Sequence, residues 1–554
     1  MPPTLSIDRV AVVLFALNNP GHFGCARPRG NRLEKPGMAY VSAQCRRRLV
    51  LPGNSGRATT MRSVEQPGSN PVPQVDPDVA AAWGARLWGP GAGRSTAYIA
   101  DSLLVTAEPD ELAGLLEKIA AISKELGIGI EPVTLGIRMR MQDPPVQLHP
   151  VTNAVKLYGD PEIVDAVQLL LRVRRAGITQ VSLDHLLVAA PYYAGVPYYA
   201  GVPYYAGVPY YAGVGAPVTT YGTPGMGGRS PVAVVLHDPA AHRRRLERPP
   251  VVVVPDTGLE EHPWFTDETM ATAEVRVDGQ LLGRHGTVSG SSTPEPPRNP
   301  LDGSLLPYAG HGTFIAGLIR QLCPEARILG IPVMTDDGVV SESCLLATLQ
   351  SLQARQVSAL GGGEQDQLID VLSLSLGYYH EAPDDALADG PLGLLLENFG
   401  RLGVLVVAAA GNNATTSPMF PAGFAEGPVE VGRLPLVGVG AQNPDGTVAY
   451  FSNAGPWVSC HRMGAALVST MPVGCGGDRQ MMASLDHEGH HRGTIDPDGF
   501  SGGFGVWSGT SFAAPVLAGA LAAHLSDDDG PSFLQSSVDR GWKALAAELG
   551  WKRP

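Results

Sequence analysis

From Pro231 to about Leu525, short apolar runs alternate with stretches of helical periodicity, and this alternation restricts the fold more than any other feature of the chain. Val251–Val254, Ile328–Val333, Leu368–Leu376 and Val404–Ala410 read as strands that are apolar on both faces. Gly312–Gln321, Leu345–Gln356, Leu392–Gly400 and Phe512–Leu525 read as helices. Strands apolar on both sides must be covered on both sides, and intervening helices supply the crossovers that parallel strands need. The expected fold class is therefore α/β, a parallel sheet flanked by helices, over residues 231–525.

Upstream, residues 91–190 read as a small α+β module. Thr96–Thr106 and Ile178–Val188 are expected strands, with one or two more in Val146–Leu157. Asp110–Leu126 is an expected helix carrying Leu112, Leu115, Leu116, Ile119 and Ile122 on one face. Pro161–Arg175 is a second, with Pro in its first turn. Residues 1–90, rich in Pro, Gly and Arg, read as an irregular or disordered N-terminal region. Between module and sheet, Pro-Tyr-Tyr-Ala-Gly-Val runs four times from Pro191 to Val214. Pro and Gly in every copy disfavour a regular element, so 191–230 reads as a linker. Residues 526–554 read as a C-terminal tail with an acidic turn and one short helix.

The chain has 554 residues and a net charge of −13. Nucleic-acid binding needs a clustered basic surface, so that class is excluded. No run reaches the roughly 18 apolar residues of a membrane span. Residues 1–60 carry nine basic residues against two acidic ones, and their only apolar run, Val10–Leu17, is at the short limit for a signal-peptide core. An irregular start, or translation from Met61, are the competing readings. A cytoplasmic location is expected, with secretion as the alternative. Six cysteines permit disulfides without requiring them, and no CxxC pair suggests a zinc ribbon.

Three segments put a polar residue where core is expected. Asp256 ends the apolar run Val251–Val254 in Pro-Asp-Thr-Gly, and ligands of open parallel sheets bind beyond such strand ends. His311 opens a helix in Gly-His-Gly-Thr. Ser511 opens an Ala-rich helix in Ser-Gly-Thr-Ser-Phe-Ala-Ala-Pro, where backbone N–H groups favour a developing oxyanion. Each alone reads as a cap or turn residue. Together they supply a nucleophile, a base and an orienting carboxylate, which acyl transfer requires because a serine hydroxyl is inert until a base takes its proton. They stand in the order Asp, His, Ser, 55 and 200 residues apart.

These words resemble the subtilase family of subtilisin-like serine peptidases. Asp256-Thr257-Gly258, His311-Gly312-Thr313 and Gly509-Thr510-Ser511 with Ala513, Ala514 and Pro515 are similar to its aspartate, histidine and serine motifs. Ala408–Asn413 resembles the segment with the oxyanion-hole asparagine, which implies Asn412. Leu374-Ser375-Leu376-Gly377 resembles the strand that pairs with an extended substrate, which implies Ser375, Leu376 and Gly377 as substrate-binding residues. The likeness covers about 231–525. Pro255, Cys460-His461-Arg462 and the Gly-rich stretch at about 474–505 depart from the family's usual words.

The resemblance implies a serine endopeptidase that acts on polypeptides through an acyl-enzyme. No cofactor is expected; calcium is common in the family but no acidic loop here is assignable. Activity should fall in acid as His311 takes a proton. Family propeptides often fold as a small α+β unit, so 91–190 is expected either to dock on the catalytic cleft in that way or to serve as a binding or regulatory domain. His487-Glu488-Gly489-His490-His491 fits the zinc-peptidase pattern H-E-x-x-H. That pattern works only on a helix, and Gly489 and Gly493 speak against one; no metal site is expected.

Overall fold

The computed structural model describes residues 77–91, 94–137, 148–189, 229–235, 237–284, 298–382, 390–427, 429–527 and 534–554. All fall within one unit, residues 61–554. The expected irregular region before residue 77 and the repeats at Pro191–Val214 lie outside the described residues.

The N-terminal module starts earlier than its periodicity suggests. A short helix, α1 (Pro77–Ala82), leads into strand β1 (Ala85–Gly91), which pairs antiparallel with β2 (Arg94–Thr106). The last part of the expected irregular region is therefore folded. Helix α2 (Leu112–Glu125) follows, with Leu115 and Ile119 buried as the periodicity predicts. Strands β3 (Gly129–Thr134), β4 (Thr152–Tyr158) and β5 (Val181–Ala189) complete the antiparallel sheet. Helix α3 (Ala166–Arg175) begins five residues later than the proline suggests. The reason is Asp165, whose carboxylate accepts the Val167 N–H at 2.9 Å and so fixes the helix start there.

The sheet of the second part of the chain is all parallel. In chain order its strands are β6 (Val251–Asp256), β7 (Ala271–Thr272), β8 (Arg327–Pro332), β10 (Val371–Leu374), β12 (Leu405–Ala409), β13 (Leu436–Gln442) and β14 (Cys460–Met463); their spatial order is β14-β13-β12-β10-β6-β8-β7. Alternate residues face opposite ways along a strand. Val252, Val254, Val371, Leu405 and Val407 enter one core with α4 (His311–Leu322) and α7 (Thr510–Ser526). Val251, Val253, Leu372, Leu374 and Val406 enter a second core with α5 (Glu342–Leu360) and α6 (Pro391–Arg401). Both faces are covered, as the expected α/β class requires.

Two short edge strands belong elsewhere. β9 (Val339–Ser341) and β11 (Leu376–Gly377) both pair antiparallel with β5 of the module. The single strand expected over Leu368–Leu376 is therefore two: the chain leaves the parallel sheet at Ser375. The C-terminal stretch also differs from the tail expected. Helix α8 (Leu534–Leu549) runs 16 residues and buries Val538, Trp542 and Leu545 in the first core.

Among the described residues no helix is long and apolar enough to cross a membrane, and Cys323, Cys344, Cys460 and Cys475 are all free.

Candidate active site

Three neighbouring parallel strands end at one rim of the sheet. Asp256 is the last residue of β6, Ser375 directly follows β10, and Asn412 lies three residues beyond β12. Helices α4 and α7 begin at the same rim, with His311 as the first residue of α4 and Ser511 as the second of α7.

Close backbone packing fixes the Asp256–His311 pair. A Cβ on Gly312 would lie 2.2 Å from the carbonyl oxygen of Gly258, so only glycine lets the start of α4 reach the loop after β6. The Gly312 N–H donates to Thr257 Oγ1 at 2.9 Å, and the Glu260 N–H to Thr313 Oγ1 at 2.9 Å. Held in this way, His311 Nδ1 stands 2.7 Å from Asp256 Oδ1, and both side chains are fully buried. Asp256 Oδ1 also accepts the Thr257 N–H at 2.7 Å. A carboxylate accepts, so Nδ1 carries a proton, and in the neutral ring the lone pair is then on Nε2. Nε2 is buried and has no hydrogen-bond partner among the described residues. Phe512, the residue after Ser511, packs its ring 5.3 Å from that of His311, and Trp507 lies edge-on at 5.7 Å.

The Ser511 hydroxyl donates to the backbone carbonyl of Ser375 at 3.0 Å rather than to His311. Ser375 answers by donating its own hydroxyl to the Ser511 carbonyl at 2.8 Å. That carbonyl needs a donor from outside the helix, because its α-helical partner would be the N–H of residue 515, and Pro515 has none.

Asn412 is fixed by the residue before the serine. Its Oδ1 accepts both the backbone N–H and the hydroxyl of Thr510, each at 2.9 Å. A backbone N–H must meet an oxygen, so the carboxamide orientation is determined and its Nδ2 donor end faces away from Thr510. Thr510 Oγ1 in turn accepts the Gly411 N–H at 3.0 Å.

Leu376 and Gly377 lie opposite Ala189 and Val188 of β5. On the other side of β5, Val188, Leu187 and Leu186 lie opposite Val339, Val340 and Ser341, and the Ala189 N–H donates to the Gly338 carbonyl at 2.7 Å. Sequence reasoning missed this second edge, whose three residues are too few to show a period.

The H-E-x-x-H segment is a hairpin, not a helix. β15 (Ser484–His487) pairs with β16 (His490–Gly493), Glu488 and Gly489 form the turn at positive φ, and all of these side chains are exposed.

Residues 248–540, more than half of the chain, match the model of the subtilase family. The serine protease AprX of Bacillus subtilis (strain 168) is 26% identical over 316 residues, which cover 50% of this chain and 66% of the relative, just short of two thirds of its length. Subtilisin Savinase of Lederbergia lenta is 27% identical over 316 residues, covering 56% of this chain and 89% of the relative. Subtilisin of Bacillus pumilus is 28% identical over 248 residues, covering 44% and 72%. The chain belongs to the subtilase family, the subtilisin-like serine endopeptidases.

Proposed function

We propose that Ser511 is the nucleophile of this endopeptidase, His311 its general base and Asp256 the carboxylate that orients the base. The observation that carries the assignment is the buried Asp256–His311 pair, whose proton arrangement leaves Nε2 as a basic lone pair at the rim where α7 begins. Rotation of the Ser511 hydroxyl from the Ser375 carbonyl to Nε2 sets up proton transfer. Oγ then attacks the scissile carbonyl, and the negative oxygen is received by Nδ2 of Asn412 and the Ser511 N–H. His311 passes its proton to the leaving amine, and water attacks the resulting ester to release the acid product. Each step of this proposal is assigned to a side chain or backbone amide of the chain.

The same reading takes β9 and β11 as the two edges between which a polypeptide substrate lies as an added strand, with Ser375, Leu376 and Gly377 on one side. In the intact chain β5 fills that place, so the module at 77–189 acts as a covering segment in cis. The antiparallel pairing of β5 with both edges supports this, as does the full burial of Asp256, His311 and Ser511. Reaction with a fluorophosphonate, followed by peptide mapping, tests the assignment: the label should sit on Ser511 and vanish in Ser511→Ala. A label on another serine, or one that survives in the variant, would overturn it.

A further inference from the structure

The module places two polar side chains of β5 against the catalytic domain: Asp184, whose Oδ1 accepts the Ser343 N–H at 2.9 Å, and His185. His185 is 1% exposed, with Nδ1 2.7 Å from Glu342 Oε2 and Nε2 3.0 Å from Glu381 Oε2. The Tyr378 ring stacks on it at 4.5 Å between centroids and 23° between planes. Glu342 is the first residue of α5, and Tyr378 and Glu381 follow β11. The walls of this box thus come from the catalytic domain and only its occupant from the module.

Both nitrogens of His185 face a carboxylate oxygen, so the ring donates twice and is an imidazolium. Burial alone would push its pKa down; the carboxylates of Glu381 and Glu342 outweigh burial and hold it up to about 10. His185, His380 and Glu381 bring three ligand atoms within 4.8 Å of one another, but an imidazolium has no lone pair to give a metal ion. The box holds a cationic side chain and has capacity to spare. Glu342 Oε1 and Glu381 Oε1 are buried and have no hydrogen-bond partner among the described residues. A buried oxygen with nothing to accept is unfavourable. Imidazolium offers two donors, whereas a lysine ammonium offers three and an arginine guanidinium five.

The place of β5 between the two edges is the place of a substrate strand in the reading above, on which this inference rests. Val188 lies opposite Gly377 and Ala189 opposite Leu376. A chain in the same register brings its next residue opposite Ser375, whose carbonyl holds the Ser511 hydroxyl. A side chain at the His185 position is then the sixth residue back from the bond attacked. We propose that Glu342, Glu381 and Tyr378 form a subsite for a cationic side chain, filled by His185 in the intact chain and by a lysine or arginine at the sixth position of a polypeptide substrate.

Two measurements on the full chain test this. The first is the rate at which a fluorophosphonate labels Ser511 with the module in place. His185→Lys should keep the wild-type rate, while His185→Leu, close in volume but uncharged, should raise it about tenfold. In a Glu342→Gln/Glu381→Gln background the Lys and Leu chains should label alike. The second compares peptides that differ only at the sixth residue: lysine or arginine should give a kcat/KM about tenfold above leucine, and Glu342→Gln/Glu381→Gln should bring that ratio close to one. Labelling of Ser511 that ignores residue 185, or a peptide ratio near one in the wild type, would overturn the subsite and leave the triad assignment standing. Labelling that rises with a chelator rather than with His185→Leu would replace it with a metal site. A Ser511 that no chain labels would remove the catalytic reading and the subsite together.

Discussion

Ser375 and Ser511 hold each other by two reciprocal hydrogen bonds, each hydroxyl donating to the other residue's backbone carbonyl, at 2.8 and 3.0 Å. Pro515 makes the first bond necessary by leaving the Ser511 carbonyl without a helical donor. The second holds the Ser511 hydroxyl against the backbone between β10 and β11. In Ser375→Ala the Ser511 carbonyl is buried and unpaired, which should cost about 1–3 kcal/mol of stability. Thermal denaturation should register that loss, and kcat should fall with it as the start of α7 loses its anchor.

Asn412→Ala removes a donor whose orientation Thr510 fixes. Steady-state kinetics should give a kcat lower by about 10²–10³, the range for one oxyanion donor, with KM little changed. An equal loss in KM would instead place Asn412 in substrate binding.

Gly312→Ala sets a methyl group 2.2 Å from the Gly258 carbonyl. Relief requires α4 and the loop after β6 to move apart, at about 1–3 kcal/mol. The Asp256–His311 bond spans that junction, so kcat should fall more steeply than stability alone explains. Denaturant unfolding and kinetics on one preparation separate the two effects.

The charge on His185 makes attachment of the module pH-dependent. The groups facing the ring are Glu342, Glu381, His380 and Tyr378, with Asp184 adjacent in β5. Its pKa, ordinarily 6.5, is held up near 10 when docked. The stabilisation from the raised pKa is therefore fully present below about pH 6.5, declines above it, and is gone once pH has risen through about 10. In Ser511→Ala, which cannot cut itself, thermal stability should fall as pH rises from 6.5 to 10. The further change His185→Gln should flatten that fall.

The parallel sheet and the three motif residues were legible because each signal is local. Strands buried on both faces read as continuous apolar runs, and Asp256, His311 and Ser511 interrupt core sequence at element ends. What was missed depends on pairing across long stretches of chain. Nothing in the period of Val181–Ala189 says that this strand continues onto Val339–Ser341 and Leu376–Gly377. Asp184 and His185, the two ionisable residues of a largely apolar strand, were the available sign of a second surface. The Ser511 hydroxyl bonds to the Ser375 carbonyl and not to His311; Pro515, four residues after the serine, was the clue to that clasp. The helix Leu534–Leu549 was underread behind the acidic run Asp527–Asp529, although Val538, Trp542 and Leu545 carry its buried face.

Kinetic coupling between His311 and Ser511 tests the triad most directly. Peptide hydrolysis is measured for His311→Ala, Ser511→Ala and the double variant, each checked for native folding. Groups that act as one machine are lost together, so the account predicts that the double variant is no slower than either single one. Losses that multiply in the double variant would mean that the two residues act independently, and would contradict it.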